Sequence, residues 1–183
     1  ALLFSRGATE RRASTIVLGS AYFFVGLIFV PLMMAFPDAL APGSLIGSRV
    51  SPLWLWSFWH AVFGLAILRY AHAQRRARKP PRVRHELAAH VLLVLALAWL
   101  GTAGMNWLPP VMTEGGRFFT GAQQLIPYGL LALNLAALLS LARLPQLGTE
   151  QIWLCVGMAA ACVEVWLTFH GSVRFSLGWY VSK

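Results

Sequence analysis

The sequence predicts an all-α fold, a polytopic transmembrane helix bundle with five helices in this chain, and three observations predict it. Charged residues make up 11% of the chain and hydrophobic residues 58%, whereas about 25% of the residues in a soluble domain are charged. The mean hydropathy is +0.64. Apolar runs recur along the chain, each near the roughly 20 residues that an α-helix needs to cross a bilayer. We therefore expect residues 1–183 to form a single transmembrane bundle, part of a larger one.

Each apolar run is taken as one membrane-spanning helix, in chain order. The first contains Pro31, which should kink it because proline removes one backbone hydrogen bond. The second begins with LWLWSFWHAVFGLAILRY, which has a histidine inside it. The fourth carries Asn134 midway, where we expect a hydrogen bond to another helix. The predicted helices are 14–36, 53–73, 87–105, 123–142 and 150–169, with a basic loop at 74–86.

The positive charges are concentrated in alternate connections. Segments 1–13, 69–86 and 143–149 hold 11 of the 15 Lys and Arg residues. Positive residues mark the cytoplasmic side, so we expect the N-terminus of this chain to be cytoplasmic. The basic loop 74–86 then faces anionic lipid headgroups, and this placement of the charge argues against a nucleic-acid partner.

Both ends of the chain indicate a longer protein. Residues 1–5, ALLFS, run apolar into Arg6 like the last turn of an earlier helix. The other end, RFSLGWYVSK, stops shortly after an aromatic pair. A cytoplasmic domain downstream would require a sixth crossing.

Three connections should face outward, and they are rich in Gly, Pro and aromatic residues. Six of the eight tryptophans lie at or near this side, Trp56 and Trp59 among them. An interfacial aromatic belt explains such residues. Belts are normally found at both interfaces, however, so the one-sided distribution favours a cap over a small-molecule cleft. We expect Arg117 and Arg174, each followed directly by Phe, to lie in this cap.

Two ionisable residues are predicted at membrane depth. His60 is seven residues after Leu53, roughly 10 Å below the outer end of its helix. Glu164 is five residues before Phe169, at a depth of roughly 8 Å. Since such groups usually face the bundle interior, we expect His60 and Glu164 to converge in one pocket. Small residues share the face of Glu164 and favour close helix packing there.

Other roles for these two residues stay open. Both can serve as hydrogen bonders between helices. A haem b cofactor would need two axial ligands, or one and an open site, and only His60 with His170 could supply a pair. An enzyme acting within the membrane would use His60 and Glu164 for proton chemistry. The sequence shows no metal, nucleophile or phosphate-loop motif, so we expect no catalytic residue in this chain.

With these residues in view, the chain resembles a bacterial family, the membrane-associated sensor domains of the fourth class. The similar segments are GSAYFFVGLIFVP, AFPDALAPGSLIG, LWLWSFWHAVF and RFSLGWYVSK, in the order of the family. The resemblance implies a multi-helix input module of the inner membrane, fused to a diguanylate cyclase, which makes cyclic di-GMP, or to a histidine kinase. In one departure, the family pattern often has a histidine where this chain has Leu32.

The sequence therefore predicts a transmembrane sensory module whose ligand pocket contains His60, Glu164, Trp56, Trp59, Arg117 and Arg174. We expect it to act as a homodimer or with a partner in a membrane complex. The alternative is an accessory or haem-binding subunit of a membrane complex that has no signalling role.

Overall fold

Helices dominate the described chain because long apolar segments in a bilayer must pair their backbone polar groups internally. A computed structural model describes residues 2–9, 12–76, 79–110 and 125–170. These residues contain no β-strand, and the predicted all-α fold is confirmed. Five of their helices, α2 to α6, are long and apolar enough to cross a membrane. The helices are α1 (Leu2–Thr9), α2 (Ala13–Ala35), α3 (Ser51–Arg75), α4 (Val83–Gly101), a short 3-10 helix (Met105–Trp107), α5 (Leu125–Ala142) and α6 (Thr149–His170).

The bounds of α4 differ most from those expected. This helix begins at Val83 and ends at Gly101, so both ends lie four residues earlier than in the predicted range 87–105. Pro80 and Pro81 mark the boundary instead: Arg82 caps the helix, and the charged residues Arg84 and Glu86 are helical. The connection between α3 and α4 is therefore residues 76–82, and Glu86 lies in the first turn of α4.

The chain divides into two compact units, Ala1–Trp107 and Leu108–Lys183. In the first unit α2 is central, because it packs against α1, α3 and α4. An added Cβ at Gly7 of α1 would lie 2.7 Å from Cγ1 of Ile16, and one at Gly19 would lie 3.2 Å from Cβ of Leu3. These contacts place α1 antiparallel along the first half of α2. Glycine at both positions lets the two backbones approach closely.

The connection between α2 and α3, residues 36–50, is closed by its own hydrogen bonds. The Asp38 amide donates to the Gly43 carbonyl (3.0 Å), and the Gly43 amide donates to Oδ1 of Asp38 (2.9 Å). The amide of Leu45 donates to the carbonyl of Met34 in α2. Gly47 has φ +71° and abuts Ser51, so a side chain there would be strained and crowded. This segment, which we call the α2–α3 loop, is tied to both helices that it joins.

The second unit contains an antiparallel pair, α5 and α6, with regularly spaced buried residues. The buried positions of α5 are Pro127, Leu130, Asn134, Ala137 and Leu141. Those of α6 are Leu154, Met158, Ala161, Val165 and Thr168. Both sets recur at alternating steps of three and four, the spacing of left-handed helix packing in membranes and in coiled coils. Exposed side chains such as Leu135 and Val156 are apolar, as expected for a surface in lipid.

Asn134 bonds within its own helix. Its Nδ2 donates to the carbonyl of Leu130 at 2.8 Å. The side chain is fully buried, and its Oδ1 has no hydrogen-bond partner among the described residues. The bond to another helix that the sequence predicted is thus not found there.

Replacing Asn134 with Leu should stabilise the protein, because a buried acceptor without a donor costs about 1–3 kcal/mol. We expect Asn134→Leu to raise the free energy of unfolding by about that amount, measured by thermal unfolding in detergent. Asn134→Ala is the control, since it removes the same amide but leaves a cavity. Destabilisation by Leu would contradict the prediction and would mean that Oδ1 accepts a hydrogen bond from outside the described residues.

Candidate functional site

His60 lies in the third turn of α3 and is fully buried, which agrees with the expectation that it faces the interior. Its Nδ1 lies 2.9 Å from the backbone carbonyl of Trp56, one turn earlier. A carbonyl oxygen can only accept, so Nδ1 must carry the proton in this contact. In the neutral ring the lone pair is then on Nε2, which is also buried.

Aromatic rings surround the imidazole of His60. The indole of Trp59 stacks on it with ring centroids 3.7 Å apart and planes 9° apart. The Trp56 ring approaches at 4.0 Å. Trp59 also contacts Phe29 of α2 and Phe63 of α3, and Phe63 contacts Tyr22 of α2. We call these six residues the aromatic cluster: Tyr22, Phe29, Trp56, Trp59, His60 and Phe63.

The aromatic cluster is closed around His60 and open on the α2 side. Trp56 is buried, whereas Tyr22 and Phe29 are 49% and 40% exposed. Aromatic faces of this kind bind apolar and planar molecules, and a buried ring nitrogen adds one directional polar contact. The cluster therefore combines apolar side chains with a buried polar group, as small-molecule sites do.

Glu164 lies in α6, in the second unit, and its side chain is half-buried. It sits beside the buried residues Ala161 and Val165. Of the small residues predicted on its face, Ala161 and Thr168 are buried, whereas Gly157 and Ala160 are exposed in the described chain. Close packing of a helix against that face stays a prediction. His60 and Glu164 belong to different units, and their convergence stays a prediction.

The side chains of the remaining predicted site residues lie outside the described part of the chain. Arg117 and Arg174 lie outside the described residues. His170 is the last residue of α6, and only its backbone is described. A paired haem site with His60 therefore stays untested. Among the described residues, no group of three or more His, Cys, Asp and Glu side chains could hold a metal ion.

The structure shows a second polar site that the sequence analysis missed. Arg69 of α3 and Glu86 of α4 form a two-bonded ion pair, with Nη1 to Oε2 at 2.9 Å and Nη2 to Oε1 at 2.5 Å. Arg69 had been predicted near the end of the second helix, and Glu86 in the basic loop 74–86, whose role was assigned to lipid contact. One signal was present: Glu86 is the single acidic residue between positions 69 and 86. A single carboxylate among several arginines is expected to form an ion pair with one of them.

Comparison with protein families gives a match over residues 1–183, the whole chain, to MASE4, described as a membrane-associated sensor, integral membrane domain. The chain belongs to the MASE4 family. No curated protein and no solved structure matches this MASE4 domain. The family confirms the resemblance seen in the sequence and, with the five apolar helices, supports a sensor domain of a multi-pass membrane protein.

The tautomer of His60 in this MASE4 domain can be measured directly. We expect ¹⁵N NMR of histidine-labelled protein to show a His60 ring that carries a proton on Nδ1, because the Trp56 carbonyl accepts a hydrogen bond there. The signal is assigned by its loss in His60→Phe, which keeps an aromatic ring between the two indoles. A ring protonated only at Nε2 would contradict the geometry.

Proposed function

We propose that this MASE4 domain is the sensory input module of a bacterial signalling protein. It receives a stimulus at the outer face or within the outer leaflet and passes it to a cytoplasmic diguanylate cyclase or histidine kinase. The observation that carries the proposal is a fully buried histidine, bonded to the Trp56 carbonyl, inside the aromatic cluster. An ionisable group at membrane depth is costly and is a functional-site candidate by default.

The ligand pocket is proposed to consist of His60, Trp56 and Trp59, completed by Glu164 and by Arg117 and Arg174 of the outer connections. The indole rings supply apolar contact area and His60 supplies the polar contact. For such a pocket to signal, the ligand must bind one arrangement of the helices more tightly than another. Helix α3 carries the described part of the pocket and runs to the opposite end of its unit, so it is suited to report the bound state.

The proposed orientation places the N-terminus of this chain and the α3–α4 connection in the cytoplasm, in a bacterial inner membrane. Arg75, Arg76, Lys79 and Arg82 are exposed at that connection. Exposed cations beside a membrane span attract anionic lipid headgroups, at about 1 kcal/mol for each residue. A second copy of the chain or another membrane subunit is the proposed protein partner.

Changing His60 should alter the signal without altering the amount of protein. In the native full-length protein, His60→Ala is expected to change cyclic di-GMP production or kinase autophosphorylation by about fivefold or more, the usual range of coupling between sites. His72→Ala is the matched control, because it removes an exposed histidine from the other end of α3. Equal signalling by His60→Ala and the wild type, at equal expression, would reduce His60 to a packing residue.

The size of the native protein separates this function from the alternative. Its intact mass, measured by mass spectrometry of the membrane fraction, is expected to exceed the 20.1 kDa of this chain by tens of kDa, because a cyclase or kinase domain must follow. A native mass near 20 kDa would instead favour the accessory or haem-binding subunit, and a Soret absorbance band would then identify haem.

A further inference from the structure

The Arg69–Glu86 pair differs in kind from many polar contacts of the described helices. Those contacts turn back to the carbonyl one turn earlier in their own helix, as for Ser57, His60, Thr102 and Asn134. Arg69 instead bonds Glu86 across 17 residues of sequence, from α3 to α4. Such a contact constrains the distance between two helices, which a bond within one helix cannot do.

Because the Glu86 carboxylate is nearly buried, the free energy of this ion pair depends strongly on the distance between the two side chains. The side chain of Glu86 is 11% exposed and that of Arg69 is 50% exposed. Two parallel bonds satisfy both carboxylate oxygens. If Arg69 were withdrawn, a nearly buried carboxylate would lose its main partner, which is costly. Small separations of α3 and α4 are therefore resisted, and a larger separation must carry Glu86 to another partner or to water.

Helix α2 packs against α4 one turn from this pair. Nδ1 of His90 bonds the Glu86 carbonyl at 2.7 Å, and the His90 ring meets the edge of Phe24 of α2 at 6.1 Å. Phe24 is fully buried. Helix α2 is thus held against the part of α4 that carries Glu86.

Helix α3 connects this point to the aromatic cluster. His60 and Arg69 are nine residues apart, which is about 13 Å along the helix axis. No proline lies between them, and α3 is continuous from Ser51 to Arg75. Buried side chains at Ile67 and Tyr70 hold its last turns in the unit. A displacement of the His60 end is therefore transmitted to Arg69 along a rigid element.

We infer that the Arg69–Glu86 pair is a latch between α3 and α4 that is closed in one signalling state and opens when a stimulus at the aromatic cluster displaces α3. This inference rests on the proposed sensory function. In the closed state the two-bonded pair fixes the spacing of α3 and α4. In the open state Arg69 turns to lipid phosphate or water, and the end of α3 moves relative to α4.

Pulsed electron paramagnetic resonance on the full chain in nanodiscs tests the latch. Spin labels are attached through His72→Cys on α3 and Ala89→Cys on α4, both exposed positions, after Cys155→Ser and Cys162→Ser. Glu86→Gln keeps the size of the side chain and removes its charge, and Arg69→Lys keeps the charge but cannot form two parallel bonds. Arg84→Ala is the control, because it removes an exposed charge from the same turn of α4.

We expect one closed distance in the wild type and in Arg84→Ala. Glu86→Gln and Arg69→Lys should add a second distance, changed by about 1–2 Å or more, the scale of helix shifts in switches. Trp59→Leu, which alters only the aromatic cluster, should also change the share of the second distance. An unchanged distribution in Glu86→Gln overturns the latch, and an unchanged one in Trp59→Leu overturns its coupling to the cluster.

These labels report the latch without any output domain. A negative result here, combined with altered signalling in His60→Ala, would refute the latch and leave the sensory function standing. A working latch combined with normal signalling in His60→Ala would refute the role of His60 in sensing instead.

Discussion

Hydrocarbon offers polar groups no hydrogen-bond partner, and the rest of the structure depends on this constraint. It explains why the long apolar segments are helical and why polar side chains inside them reach back to their own backbone, as His60 does to Trp56. A bond of this kind satisfies a group without fixing one helix against another. Side chains that bond between elements, as Arg69 does to Glu86, therefore add a fixed point to the packing of the helices in the first unit.

The membrane-spanning segments were predictable because a crossing has a nearly fixed length and an apolar composition. The ends of α2, α3, α5 and α6 lie within two residues of those predicted. The start of α4 was less predictable, since the whole basic run up to Glu86 was predicted to be a loop and α4 begins at Val83. The boundary was set instead by the backbone restriction at Pro80 and Pro81. The change from apolar to charged residues indicates where α4 leaves the hydrocarbon, whereas the two prolines indicate where its helical backbone begins.

The candidate site was only partly predictable, because local sequence spacing indicates contacts within one helix but not contacts between helices. The burial of His60 follows from the cost of an imidazole in lipid, and its contact with Trp56 follows from helical spacing. Spacing alone does not reveal which part of a helix face is covered: Ala161 and Thr168 are buried beside Glu164, whereas Gly157 and Ala160 are exposed in the described chain. Pairing between distant positions is absent from any local pattern. The single carboxylate of the basic run indicates that Glu86 pairs with an arginine, but only the packing of α3 beside α4 identifies that arginine as Arg69.

The closed α2–α3 loop affects how fast another molecule can bind at this end of the protein. Asp38 and Gly43 close it into a ring, and Leu45 anchors it to the last turn of α2. Its conformational entropy has already been lost during folding. A molecule that binds against this loop need not order it first, so little of the binding free energy is consumed there. Association on this side is accordingly expected to be limited by access and desolvation, and not by the rearrangement of a lid.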